Sequence, residues 1–189
     1  MIFARAFAVA VVFFAALVNA ATYTGKVQLI NGEGSSNGFL KNWNSGFDGV
    51  DFTGNPLLVS ISTNTTGTLN LIATNAAFPA PFYLGGQSSI YYPNLTPGSD
   101  VIVALTNVSP TPAGAPPSPS FTESAIWYFN EATKQLTPQW VNKDGSRPAT
   151  FIAYDIKYNK IFLSGDVNAY NTVYSYKPAS VVSFYLVPN

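Results

Sequence analysis

Beyond its first twenty residues the chain nowhere sustains apolar residues at i, i+3, i+4 and i+7; short runs of period two take their place. That pattern argues against a helical core and points to an all-β chain. Leu57, Val59 and Ile61 alternate with more polar neighbours, and Leu69 and Leu71 alternate with Thr68 and Asn70. Between these runs Asn64-Thr-Thr-Gly67 supplies a glycine that adopts positive φ at little cost, so the pair is predicted as a β-hairpin. A second hairpin is predicted from Phe151-Ile-Ala-Tyr154 and Ile161-Phe-Leu163 around a turn at 155–159.

The strand-like runs are arranged as if the chain were written twice. Lys26-Val-Gln-Leu-Ile-Asn31 precedes Phe39-Leu-Lys-Asn-Trp43, and Ala125-Ile-Trp-Tyr-Phe-Asn130 precedes Gln135-Leu-Thr-Pro-Gln-Trp140. Each copy then passes through a Gly-containing loop and a proline (Pro56, Pro148), two strands, and the tripeptide Phe-Tyr-Leu at 82–84 and 184–186. Repeats of this kind bear on the whole architecture. The expectation is a β-sandwich of about eight to ten mostly antiparallel strands with a pseudo-duplicated core, in which Trp43 and Trp140 are buried at equivalent places. A β-trefoil is the alternative, although it needs three such units.

Residues 1–20 read as a secretory signal: Arg5 is the positive n-region, 6–18 the apolar stretch, and Val18-Asn-Ala20 a small-residue cleavage site. Residues 21–189 are then one domain, with a first half at about 23–84, a connecting segment at about 85–121 and a second half at about 122–189. The connector carries five prolines in 109–120, which favours an exposed, extended loop. The same segment contains, ahead of these prolines, possible strands at 89–92 and 100–107.

Without Arg5 the chain holds eight Lys plus Arg against nine Asp plus Glu. Near-neutrality argues against nucleic acid or an anionic membrane as partner, since both require clustered basic residues, and it favours a neutral ligand. The chain contains neither histidine nor cysteine. This excludes Ser-His-Asp and Cys-His catalysis and the ordinary zinc and copper sites, and no cofactor is expected. A carboxylate-based glycoside hydrolase would need two converging acids, but most of the nine stand in turn contexts such as Asp48-Gly, Asp144-Gly and Gly-Asp166, where a short carboxylate caps its own backbone. The oxygens of Asp48-Gly-Val-Asp51 and Asp166-Val-Asn168 form no spaced calcium-ligand set.

The aromatic residues carry the functional expectation, because sugar rings present apolar faces that stack on exposed aromatic side chains. Trp127 alternates with Ala125 and Phe129 as a core residue does. Tyr91 and Tyr92, beside Pro93-Asn94, and Tyr170, Tyr174 and Tyr176, in a stretch read as irregular, are the candidate ligand-binding residues. Asn64, Asn94 and Asn107 each head an N-glycosylation sequon, and Pro97 and Pro110 follow the latter two.

Ser124-Ala-Ile-Trp-Tyr-Phe-Asn130, Gln139-Trp-Val-Asn-Lys-Asp-Gly-Ser-Arg-Pro-Ala-Thr150 and Leu163-Ser-Gly-Asp166 together resemble a segment of small secreted proteins of filamentous fungi. The resemblance implies an exported fungal protein, wall-associated or released at a host or substrate surface, and brings no catalytic residue with it. The expected function is that of a secreted, non-catalytic binding or surface protein whose partner is cell-wall polysaccharide. A structural or host-interacting protein that meets only an extracellular protein is the alternative, and a glycoside hydrolase ranks third.

Overall fold

The computed structural model describes residues 20–63, 67–89, 94–117 and 121–189. The secretory signal and the tip of the first hairpin therefore lie outside the described residues, except for Ala20 and the flanks of the turn. Twelve strands form one sheet: β1 (Thr22–Asn31), β2 (Ser36–Phe39), β3 (Leu58–Ser62), β4 (Leu71–Ala73), β5 (Tyr83–Gln87), β6 (Ile102–Val108), β7 (Thr122–Glu123), β8 (Trp127–Phe129), β9 (Gln135–Pro138), β10 (Phe151–Asp155), β11 (Lys160–Ser164) and β12 (Ala179–Pro188). Among the described residues a single helix, α1 (Val167–Val173), stands between β11 and β12.

Both predicted hairpins are present. β3 pairs antiparallel with β4 through Val59 and Ala73, and β10 pairs with β11 through Ile152 and Leu163. The fold is all-β and antiparallel, but the expected two-sheet sandwich gives way to a closed barrel. Its eight strands run in the order β1, β3, β4, β5, β6, β11, β10, β12, and the ring closes where Gly25–Asn31 of β1 pairs with Val182–Pro188 of β12. A sandwich and a barrel draw on the same alternating strands. What separates them is one long-range pairing, and alternation within a strand does not specify it.

The inward residues fill the barrel. Val27 and Leu29 of β1, Val59 and Ile61 of β3, Leu84 of β5, Leu105 of β6, Leu163 of β11 and Phe184 and Leu186 of β12 belong to a single buried cluster. Eight strands leave an interior about wide enough for side chains to occupy completely. One mouth is covered by the loop carrying Leu40, Phe47 and Val50, which is tied to the β10–β11 turn by paired hydrogen bonds between Val50 and the Asn159 side chain. Near the other mouth Trp140 packs where β5 ends. There a side chain on Gly86 would sit 2.8 Å from the Trp140 ring, so only glycine fits.

The two copies read in the sequence do not occupy equivalent places. Trp140 is 0% exposed, whereas Trp43 is 41% exposed beneath the Lys41 ammonium, 4.5 Å from its ring centre. The first copy's opening run forms the ten-residue barrel strand β1, while its counterpart forms the three-residue β8, outside the barrel ring. Phe184 is buried and Phe82 is exposed. Similar local patterns here serve different burial problems.

The connecting segment is less free than its prolines suggest. Thr111 and Ser124 exchange hydrogen bonds, and the Ser124 hydroxyl reaches the Asn70 amide oxygen at 2.6 Å. The chain that follows enters the splay between β4 and β5. Glu123 pairs with Gly86 on one side and Trp127 bridges Leu69 on the other.

Candidate functional site

The sequence expectation of an irregular stretch at 167–177 is corrected by α1. Asp166 caps it, accepting from the backbone N–H groups of Asn168 and Ala169 at 3.0 Å each. Those contacts, with a third from Gly98, hold the Asp166 carboxyl below its ordinary pKa. Val167, Tyr170 and Tyr174 follow at i, i+3 and i+7, and they turn toward the outer barrel wall to meet Phe162, Ala153 and Ile102.

This packing decides what each tyrosine can do. Tyr170 is 2% exposed, its ring 4.7 Å from that of Phe162, and burial pushes its phenol pKa up. It is a wall residue, which corrects the expectation that it offers a free stacking face. Tyr174 is half-buried and lies 4.7 Å from Tyr170, and Tyr176, 6.5 Å beyond Tyr174, is 60% exposed. Tyr91 and Tyr92 lie outside the described residues.

A fourth ring joins this patch from the β10–β11 turn. Asp155 accepts from the Lys157 and Tyr158 N–H groups, and the turn it stabilises leaves Tyr158 52% exposed. Sequence reasoning missed Tyr158, although an aromatic residue in a five-residue hairpin turn is itself a signal of exposure. The Lys177 ammonium sits among all four rings, 4.7 Å from the centre of Tyr174, 5.6 Å from Tyr176, 5.8 Å from Tyr158 and 6.0 Å from Tyr170. Lys157 donates to the Tyr176 carbonyl at 2.9 Å. Beneath them opens a cavity of about 290 Å³ lined by Ile102, Asp155, Tyr158, Lys160, Phe162, Tyr170 and Lys177.

A larger cavity of about 520 Å³ lies on the other side of α1, against Phe151, Ala179 and Val181. Its polar residues serve the fold: Asp166 caps the helix and Asn171 exchanges two hydrogen bonds with the Ala179 backbone. The tyrosine patch is the better site, since it combines exposed rings with charged groups.

The carboxylates are distributed over separate structural roles. Asp48 pairs with Lys41 at 2.9 Å, Asp51 accepts from Thr53, Asp144 from Ser146, and Glu131 from the Tyr23 hydroxyl. Glu123 is buried on β7, where loss of hydration pushes its pKa up to about 8 against the opposing pull of the Val141 N–H and the Arg147 charge. Among the described residues no group of three Asp or Glu side chains is placed to hold a metal ion, and no helix is long and apolar enough to cross a membrane. Asn94 is exposed, while the Asn107 amide donates to the carbonyls of Pro81 and Pro79 at 3.1 and 3.4 Å. Asn64 lies outside the described residues.

No protein-family model matches the chain, and no curated protein or solved structure shows significant similarity to it.

Proposed function

We propose that the protein is a non-catalytic, extracellular binding protein that takes carbohydrate on the outer wall of its barrel, at the ring faces of Tyr158, Tyr174 and Tyr176. The observation that carries this reading is the convergence of those rings from two separate elements, the β10–β11 turn and the α1–β12 link, around the Lys177 ammonium, beside a cavity that Tyr158 and Lys177 line. Aromatic faces held by a rigid wall lose little conformational freedom on binding, and each stacked ring is worth about 1–3 kcal/mol by analogy with bases on aromatic platforms. The secreted, wall-associated setting rests on the N-terminal signal pattern and on the resemblance to fungal secreted proteins.

The test is retention of the mature protein on insoluble chitin, β-glucan, cellulose and pectin. Retention that falls at least about tenfold in a Tyr158→Ala, Tyr176→Ala double variant supports the reading. Retention indifferent to both substitutions removes the patch from the site, and no retention on any polymer favours the protein-interaction alternative.

A further inference from the structure

We propose that the saccharide held by this patch is acidic, its carboxylates answered by Lys157, Lys160 and Lys177; the inference rests on the carbohydrate reading above. The chain as a whole is nearly neutral, yet its charge is unevenly placed. Of the seven lysines in the chain, Lys160 and Lys177 line this cavity, and Lys157 stands beside it, donating to the Tyr176 carbonyl. Lys157 and Lys177 flank the same two rings: each ammonium is 5.6 Å from the Tyr176 centre, and they stand 5.6 and 5.8 Å from Tyr158. Lys160 lines the cavity from the first position of β11 and is exposed.

The carboxylate facing these charges is Asp155, fully buried and engaged by the Lys157 and Tyr158 N–H groups. Across the patch formed by Lys157, Lys160, Lys177 and Asp155, positive charge therefore exceeds negative by two. An anion seated on these rings would meet ammoniums from both Lys157 and Lys177. A neutral sugar would use the ring faces and leave the ammoniums to water. A hexuronate uses both, since its carboxylate is carried at the edge of the ring whose face stacks. This replaces the neutral ligand expected from overall charge with one matched to the local field.

The experiment compares polygalacturonate with its fully methyl-esterified form, which keeps the ring and removes the charge, and with polyglutamate, which keeps the charge and removes the ring. Binding is followed by affinity electrophoresis and calorimetry from about 50 to about 500 mM NaCl, where the screening length shrinks severalfold. The expected result is that polygalacturonate binds, that the methyl ester binds at least about tenfold more weakly, and that salt and Lys160→Glu each lower the affinity at least about tenfold. Lys160→Glu alters an exposed residue, so unchanged melting of that variant would tie the loss to charge. If the ester binds equally well and Tyr176→Ala weakens both, the acidic assignment falls and the carbohydrate reading stands. Polyglutamate binding as tightly as polygalacturonate overturns the saccharide class itself. Binding to none of the three at low salt overturns the acidic assignment, and chitin, β-glucan and cellulose then decide the carbohydrate reading separately.

Discussion

The Trp127 indole N–H donates to the Leu84 carbonyl at 2.8 Å, across the place where β4 and β5 part. The same indole stacks on Phe184 of β12, ring centres 5.9 Å apart and planes 16° from parallel. One side chain from outside the ring of barrel strands thus satisfies a backbone group at the splay and fills the interior behind it.

Removing that side chain is expected to be costly. Trp127→Ala should destabilise by about 3–5 kcal/mol through the cavity it leaves. Trp127→Phe keeps a ring but removes the indole N–H bond to the Leu84 carbonyl, a loss of about 0.5–1.5 kcal/mol. Trp43→Ala should stay within about 1 kcal/mol, since it forfeits mainly the contact with Lys41. Urea midpoints at constant slope would rank the three, and equal midpoints for the two alanine variants would contradict the assigned burial.

Glu123 predicts a stability that declines with rising pH. Its folded pKa, about 8, lies above the ordinary carboxyl value of 4.5, so between those limits the folded state binds more protons than the unfolded chain. Stability should therefore fall by up to about 1.4 kcal/mol per pH unit from about pH 4.5 to about pH 8 and level off above. Glu123→Gln is expected to flatten that slope and raise the melting temperature at neutral pH. Melting curves from pH 5 to about pH 9 would show it, and a slope unchanged in the variant would assign the decline to other groups.

The barrel seam should tolerate no side chain at position 25. A Cβ on Gly25 would run into the Val187 carbonyl oxygen and lie 3.1 Å from the Pro188 Cα, so either the seam opens or the strand shifts. Gly25→Ala is expected to cost about 1–3 kcal/mol or more by overpacking. Gly32→Ala, with open space around it, serves as the control. Hydrogen exchange on β1 and β12 would locate the damage.

Asp166 links the helix to the tyrosine patch. Its pKa is depressed, so its contribution is present above the ordinary carboxylate pKa and is lost as pH falls through the lowered folded value. Asp166→Ala should fray α1, loosen Tyr170 and Tyr174, and weaken ligand retention at neutral pH. Asp166→Asn, still able to cap, should retain binding and lose the acid dependence. Proteolysis within 167–178 is the direct readout.

Both hairpins were legible because Leu57, Val59 and Ile61, and later Phe151 to Leu163, alternate over turns with strong local chemistry. The closure of the barrel was not, because Gly25 marks a close backbone approach without specifying that Val187 and Pro188, far along the chain, make it. The repeat misled through Trp43 and Trp140, whose matched surroundings end in an exposed loop and a barrel plug. Of the proposed patch, the sequence singles out Tyr174 and Tyr176 by composition and context and passes over Tyr158. Tyr170 was misjudged as exposed because α1 is only seven residues long, and its Asp166 cap and the spacing of Val167, Tyr170 and Tyr174 pass unnoticed in a search for long amphipathic stretches. The three lysines were diluted in a chain-wide balance that hides local fields.

Strand β12 is the partner of β1, β10 and β9 at once. While residues 179–188 are still missing from a growing chain, all three neighbours present unsatisfied ladder edges, and the unclosed strands can pair with any other chain that meets them. The inner pairings of the meander from β1 through β6 form much earlier, leaving the outer edges of β1 and β6 open. For this molecule, then, the hazardous interval of biosynthesis extends until β12 has emerged, and holding the chain unfolded until that strand is complete protects it better than folding as it emerges.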